Sequence, residues 1–470
     1  MTPTRHPGDP PWHRKPRRCG QQESTTMTAH NRRSSAAASS RTAGGILGAC
    51  CLLIAGLQSA FAAELPQYAE YVHQGVASCA SSVCHGSATE RTGTNVLQNE
   101  FVTWTRLDGH SRAYQTLLTE ASQRIARNLG LPNAHEAAIC LDCHADNVPE
   151  ERRGADFQIS DGVGCEACHG GAENWLSSHA ARGTRHQDNL DRGMYPTSNV
   201  EKRAELCLSC HLGTADKFAT HRIMGAGHPR LAFELSTFSA LQPPHWAFDA
   251  DYDERKGIVD EFDTWTRGLL VAARKNIELL QGPLLHGNGM FPEIALFDCH
   301  SCHQPMSELN WEPTVLTRGL EPGAVRLNNA NFALLLPLAE VLGGPLHDQL
   351  LHRIRGLNLS AARSRESVAT ASRQLALSVD ELEAAIARGA GPSERQRILN
   401  GVLFRAARGD YRDYVAAEQA AMAMDVLLIS IERWDDFKER MDAIYATVEN
   451  DEAFRPQSFA AAVERLRRAL

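Results

Sequence analysis

No cysteine follows Cys302 in this chain of 470 residues, so the chemistry its cysteines serve is confined to the N-terminal two thirds. No second apolar run matches the one at Gly44–Phe61. That excludes a protein of many membrane spans, because each helical span needs about 20 apolar residues. An excess of positive charge is lacking as well. Lys and Arg total 48 against 56 Asp and Glu; residues 1–62 hold 8 and 2 of these, which leaves 40 against 54 beyond, a formal net of −14. Phosphate backbones are bound by a net positive face, so nucleic acid is excluded as a partner. The acidic balance fits docking on a basic patch of a partner, and fits equally a surface that only keeps the chain in solution.

Residues 1–43 are rich in Arg, Ser, Thr and Ala, and the apolar run GGILGACCLLIAGLQSAF follows. It ends in Ala60-Phe61-Ala62, a small-x-small cleavage pattern. Met27 is the better start, giving a leader of 36 residues with Arg32, Arg33 and Arg41 ahead of the apolar run. Without its edge glycines the run falls short of a span, so residues 1–62 read as an export leader rather than an anchor. The expected compartment is the periplasm.

Thirteen cysteines are present, and Cys19, Cys50 and Cys51 lie in the leader. The other ten form five pairs, and a histidine follows each pair. Four pairs are regular: Cys140-Leu-Asp-Cys143-His144, Cys165-Glu-Ala-Cys168-His169, Cys207-Leu-Ser-Cys210-His211 and Cys299-His-Ser-Cys302-His303. Disulfides need no such histidine. Paired four-thiolate zinc sites would leave it unexplained. Covalent haem c requires it: two thiols add to the vinyl groups, and the histidine after the second ligates the iron. The first pair is irregular, Cys79-Ala-Ser-Ser-Val-Cys84-His85, with four residues between the thiols. Either the loop bulges and both cysteines attach, or Cys84 alone forms a thioether. The sequence therefore predicts five haems c, with His85, His144, His169, His211 and His303 as proximal ligands.

A second axial ligand is usual in electron-transfer haem. Ten further histidines are available: His73, His110, His135, His179, His186, His221, His228, His245, His286 and His300. They suffice to make every iron bis-histidine, but counting does not assign them. No CxxCK motif, the lysine-ligated variant of some nitrite reductases, occurs.

From residue 63 to about 312 the chain is loop-rich, with short helical pieces such as Ser111–Leu129 and Thr264–Leu280. After Pro313 the pattern changes. Leu327–Arg355, broken at Gly343-Gly344-Pro345, Ala361–Arg388, Asp410–Trp434, Asp435–Asn450 and Pro456–Leu470 carry apolar residues at helical spacing. Capping-box spacing occurs at Ser378–Glu381 and Ser393–Gln396, and Gly389 and Gly409 are candidate stops. The fold class is mainly α with extensive loops: a multihaem domain over 63–312, then an antiparallel helical bundle over 313–470 with no chemistry of its own. His347 and His352 there read as surface residues.

The order of motifs resembles the tetrahaem cytochrome c-554 family over about residues 78–215. The likeness is carried by a first attachment site, Trp104 and His110 in GHSRAY, then CLDCH, GVGCEACHGG with His179 following, and LCLSCHL. That family is known as the periplasmic electron acceptor of hydroxylamine oxidoreductase. The resemblance implies His179 as distal ligand to the iron on His85, and His110 as distal ligand to the iron on His169. It makes the haem on His144 the candidate open, five-coordinate one. The first motif departs from the family's CxxCH by two added residues between the thiols. The site at His303 and the segment HRIMGAGHPRLAFEL lie outside the likeness; His221 and His228 are inferred to serve the haems on His211 and His303. The expected function is electron transfer between redox protein partners, with a membrane quinol-linked cytochrome or a hydroxylamine-oxidoreductase-like protein as candidates. The alternative is an oxidoreductase acting on a small nitrogen or sulfur compound at the open haem, and a third reading is a subunit of a larger redox complex docked through the bundle.

Overall fold

The computed structural model describes residues 64–287, 289, 291–303 and 313–470. The expected leader lies outside the described residues. The protein is mainly helical, and its described β-structure amounts to two isolated bridges, His73 with Arg153 and Phe297 with Leu327. None of the described helices is long and apolar enough to cross a membrane.

The first part, to about residue 260, is built of short helices between loops. Ser111–Leu129, expected as one helix, divides into Ala113–Leu117 and Glu120–Leu129. Thr119 restarts the second piece by accepting a hydrogen bond from the Ser122 N–H. Local caps of this kind replace a large apolar core here. Asn199 does the same for Val200–His211, accepting from Glu201 and Lys202 and so fixing the helix that ends in an attachment motif.

The second part is the helical bundle. Its helices are Ala330–Leu342, Leu346–Ala361, Arg365–Ile386, Pro392–Ala407, Tyr414–Ser430, Trp434–Tyr445 and Pro456–Arg467. Short loops between Leu346–Ala361 and Arg365–Ile386, and between Tyr414–Ser430 and Trp434–Tyr445, make these neighbours antiparallel. Phe332, Leu350, Leu375, Leu403, Leu427 and Val463 are all fully buried in one continuous core. Each such side chain contributes about 1.5–3 kcal/mol of burial. The cap positions differ in part from expectation. Ser378 is buried mid-helix, and Ser364 closes the capping box of its helix instead. Glu394 reaches back to the Gly391 N–H at 2.9 Å. Gly389 and Gly409 do lie just past helix ends, with φ of 78° and 80°.

The helix Glu261–Gln281 ties the two parts together. Phe262, Trp265, Leu269 and Ile277 belong to the bundle core. Val271 and Ala272 pack instead against Val200, Ala204 and Leu208 of the helix carrying Cys207–His211. Gly268 lets Leu235 approach, since a Cβ there would stand 2.7 Å from the Leu235 side chain.

Candidate haem-binding site

Each regular attachment motif occupies about one helical turn. Cys140–His144 closes the helix Ala138–His144, Cys165–His169 is itself a short helix, and Cys207–His211 closes Val200–His211. Helical spacing turns the two thiols, three residues apart, to one side, with the histidine beside the second. Cys299–Ser301 forms a tighter turn, and the His303 N–H donates to the Cys299 carbonyl at 2.8 Å. The irregular site closes as a wider loop. Its Cys84 N–H donates to the Ser81 carbonyl at 2.9 Å, and the His85 N–H to Cys79 at 3.3 Å.

Each of the five motif histidines faces a second histidine. Ring centroids lie 6.1 Å apart for His85 and His179, 6.2 Å for His211 and His110, and 6.3 Å for His144 and His228. They lie 6.4 Å apart for His169 and His245, and 6.2 Å for His303 and His221. An iron between two imidazoles, each nitrogen about 2 Å from it, sets the ring centroids roughly 6 Å apart. All five pairs fit one metal between the rings. The ring planes differ: 11° for His85–His179 and 32° for His221–His303, against 90°, 84° and 89° for the other three.

Hydrogen bonds at Nδ1 turn Nε2 of most of these rings toward its partner, as ligating histidines require. His85 Nδ1 contacts Glu100 Oε2 at 3.0 Å, and His110 Nδ1 contacts Asp108 Oδ1 at 2.9 Å. His144 donates to the Ala113 carbonyl at 3.1 Å, His179 to Leu176 at 2.6 Å and His228 to Pro229 at 2.7 Å. His245 bonds the Pro243 backbone. The Glu100 hydrogen bond raises the His85 pKa, and the Asp108 hydrogen bond raises that of His110. Burial works to raise the Asp108 carboxyl, but its bonds from His110 hold it at about 2. Burial, with His245 and Lys256 nearby, pushes His169 down to about 3, which keeps it in the neutral form that binds metal.

Four of the five pairs border one cavity of about 1880 Å³. A site for one drug-sized ligand has roughly 300–1,000 Å³, so this space suits several large planar groups. Residues 78–170 match the family model described as cytochrome c554 and c-prime. The matched segment is that of a c-type cytochrome of this family. No curated protein and no solved structure matches the chain. The family implies covalently bound haem c, and the thiols, paired histidines and cavity fit that group.

The pairing departs from several expectations. The family likeness put His110 over the haem of His169, but Asp108 fixes the His110 ring beside His211. His245 takes the place at His169, and the fixed backbone of Pro243-Pro244 before it is the signal that could have singled it out. His144, the candidate for an open haem, has His228 opposite it. His228 was expected at His211 or His303; the turn after Gly225 carries it away from His221, which meets His303. His179 stands opposite His85. Among the described residues, the remaining histidines face no motif histidine. His73 is buried against Asp146 at 2.7 Å, His135 packs on Tyr114, and His300 packs on Tyr414 and Phe454.

Proposed function

We propose that the protein is an exported pentahaem cytochrome that relays electrons between redox proteins. The five histidine pairs carry this reading, because an iron held on both faces by imidazole has no position left for a substrate. When bound, haem c supplies a one-electron ferric/ferrous couple at each site. The chain's own part is to hold both axial nitrogens in place, which keeps the change in geometry on reduction small.

Contacts among the attachment residues support a continuous array. The Cys79 sulfur lies close to that of Cys165, and the Cys143 sulfur close to that of Cys210. Cys168 lies within electrostatic reach of Cys207 and Cys210. His221 and His228, seven residues apart in the chain, bring the site of His303 near that of His144. The first four sites thus adjoin at their cysteines, and the fifth joins through the segment between those two histidines.

A carrier needs an acidic face for a basic partner or the reverse, and the chain beyond residue 62 has the acidic balance. A periplasmic partner, either a membrane quinol-linked cytochrome or a protein resembling hydroxylamine oxidoreductase, fits this proposal. Intact mass and the spin state of the mature protein test it together. The expected result is five covalent haems, all low-spin in both oxidation states. A high-spin ferric haem together with turnover of hydroxylamine, nitrite or a sulfur oxyanion, at a rate that collapses when His144 is replaced, would replace the relay by an enzyme.

A further inference from the structure

Four cationic side chains line the large cavity among its described residues: Arg203, Lys217, Arg255 and Lys256. Arg255 is committed, with its guanidinium 2.5 Å from Asp251. The other three make no ion pair with a carboxylate among the described residues. Lys217 is only 8 % exposed, and its Nζ meets nothing closer than the Cys210 Sγ at 3.2 Å. A thioether at Cys210 is a weak acceptor, so haem attachment weakens even that contact. Arg203 donates to the Thr197 carbonyl at 3.3 Å, while its buried Nε has no partner. Lys256 lies 4.9 Å over the Tyr252 ring.

The cavity's own carboxylates form no ion pair with these three, although Asp216 lies within electrostatic reach of Lys217. Glu100 is taken by His85, Asp108 by His110 and Asp146 by His73. Asp142 accepts from Asn147 at 2.6 Å, Asp216 from Tyr68 at 2.9 Å, and Glu418 pairs with Arg230 at 3.2 Å. An unpaired cation in a sheltered site is costly unless a counter-charge arrives. The counter-charge must come from what fills the cavity.

We infer that Lys217, Arg203 and Lys256 seat the propionate carboxylates of the haems in this cavity. The inference rests on the haem reading above and adds the residues that answer the cofactor's own negative charge. Lys217 contacts Cys210, lies within electrostatic reach of Cys143, and serves the haems attached there. Lys256 lies within electrostatic reach of His169, and Arg203 lies one turn before Cys207. These are positioning residues that also tune potential. A fixed positive charge beside a haem disfavours the extra positive charge of ferric iron, and so raises its midpoint.

The test is a redox titration of the full-length, haem-loaded protein, followed optically, with intact mass for the haem count. Lys217→Gln, Arg203→Gln and Lys256→Gln are compared with Lys217→Arg, Arg203→Lys and Lys256→Arg. Each Gln variant is expected to lower the midpoint of one haem, or of two for Lys217→Gln, with about a tenfold change in the ferric/ferrous ratio at fixed potential, about 59 mV for a one-electron couple. The charge-keeping variants are expected to stay at wild-type values. Loss of one haem in a Gln variant, restored in its charge-keeping counterpart, gives the same answer. Unchanged midpoints in all three Gln variants, or equal shifts or haem losses in both series, overturn the inference. A wild-type mass without haem would instead overturn the haem reading itself, so the two failures are distinct.

Discussion

His228 stands opposite His144, ring centroid to ring centroid at 6.3 Å, with the planes crossed at 84°. The family likeness left the iron expected here open on one face; the fold sets a second imidazole across from His144. The reduced wild-type protein is therefore expected to bind almost no carbon monoxide, since a ligand must first leave. His228→Ala is expected to create one site that binds about one equivalent and turns high-spin. Binding of a full equivalent by the wild type, unchanged in the variant, would show that His228 is not the ligand.

Ring orientation makes a second prediction. Parallel imidazole planes separate two of the iron d orbitals in energy, whereas crossed planes leave them nearly degenerate. Two low-spin ferric haems, those of His85–His179 and His221–His303, should give rhombic resonance spectra. The three crossed pairs should give highly anisotropic signals with one large g value. His179→Ala should remove a rhombic signal, and His110→Ala and His245→Ala should each remove a different anisotropic one. Loss of the same signal in both of the latter variants would contradict the pairing.

Carboxylates at Nδ1 distinguish two of the sites from the rest. Glu100 on His85 and Asp108 on His110 put negative charge on the axial imidazole, which stabilises ferric iron. Glu100→Gln is expected to raise one midpoint, by about 59 mV for each tenfold change in the ferric/ferrous ratio. The haem count should stay constant. A midpoint that does not move would mean that the hydrogen bond only orients the ring.

These pairings show where the sequence was legible and where it was not. The five attachment motifs read directly, because their chemistry demands adjacent residues. Bundle helices such as Arg365–Ile386 read from apolar spacing to within a few residues. Four of the five distal candidates were named from the sequence, but which motif each one meets read only in part, because they come from loops and caps brought together only in three dimensions. His245 has no motif around it beyond two prolines. His110 sits in a recognisable segment, yet its partner depends on Asp108 and on where the helix Val200–His211 ends. The shared role of Glu261–Gln281 was hidden too: its helical spacing is plain, but the two surfaces it packs against are far apart in the chain.

Removing residues 314–470 tests that helix. Phe262, Trp265, Leu269 and Ile277 would lose the partners that bury them. Truncation is expected to lower the yield of haem-loaded protein and to produce an aggregating species, read by sedimentation and intact mass. A monomeric fragment retaining five haems would show that the haem-binding part holds this helix without the bundle.

One buried carboxyl gives the bundle a pH dependence. Burial, with Glu234 and Asp442 nearby, raises Asp425 to about 7 against the hydrogen bond from Trp434. The folded state then binds a proton that the unfolded state has lost above about pH 4. Asp425 therefore makes stability fall as pH rises from about 4 to 7, and Asp425→Asn is expected to flatten that slope in denaturant titrations. An unchanged slope would assign the dependence to other groups.

The short stretch from His221 to His228 reaches two different motif histidines, His303 and His144. It works as a splice between sites that the attachment motifs place far apart in the chain. An insertion or deletion of one residue between Arg222 and Gly227 would displace one ring or the other, and in a rigid segment both. Two optical centres would then change together from a single edit that touches neither ligand, and the stretch would behave as one unit of inheritance for a pair of sites.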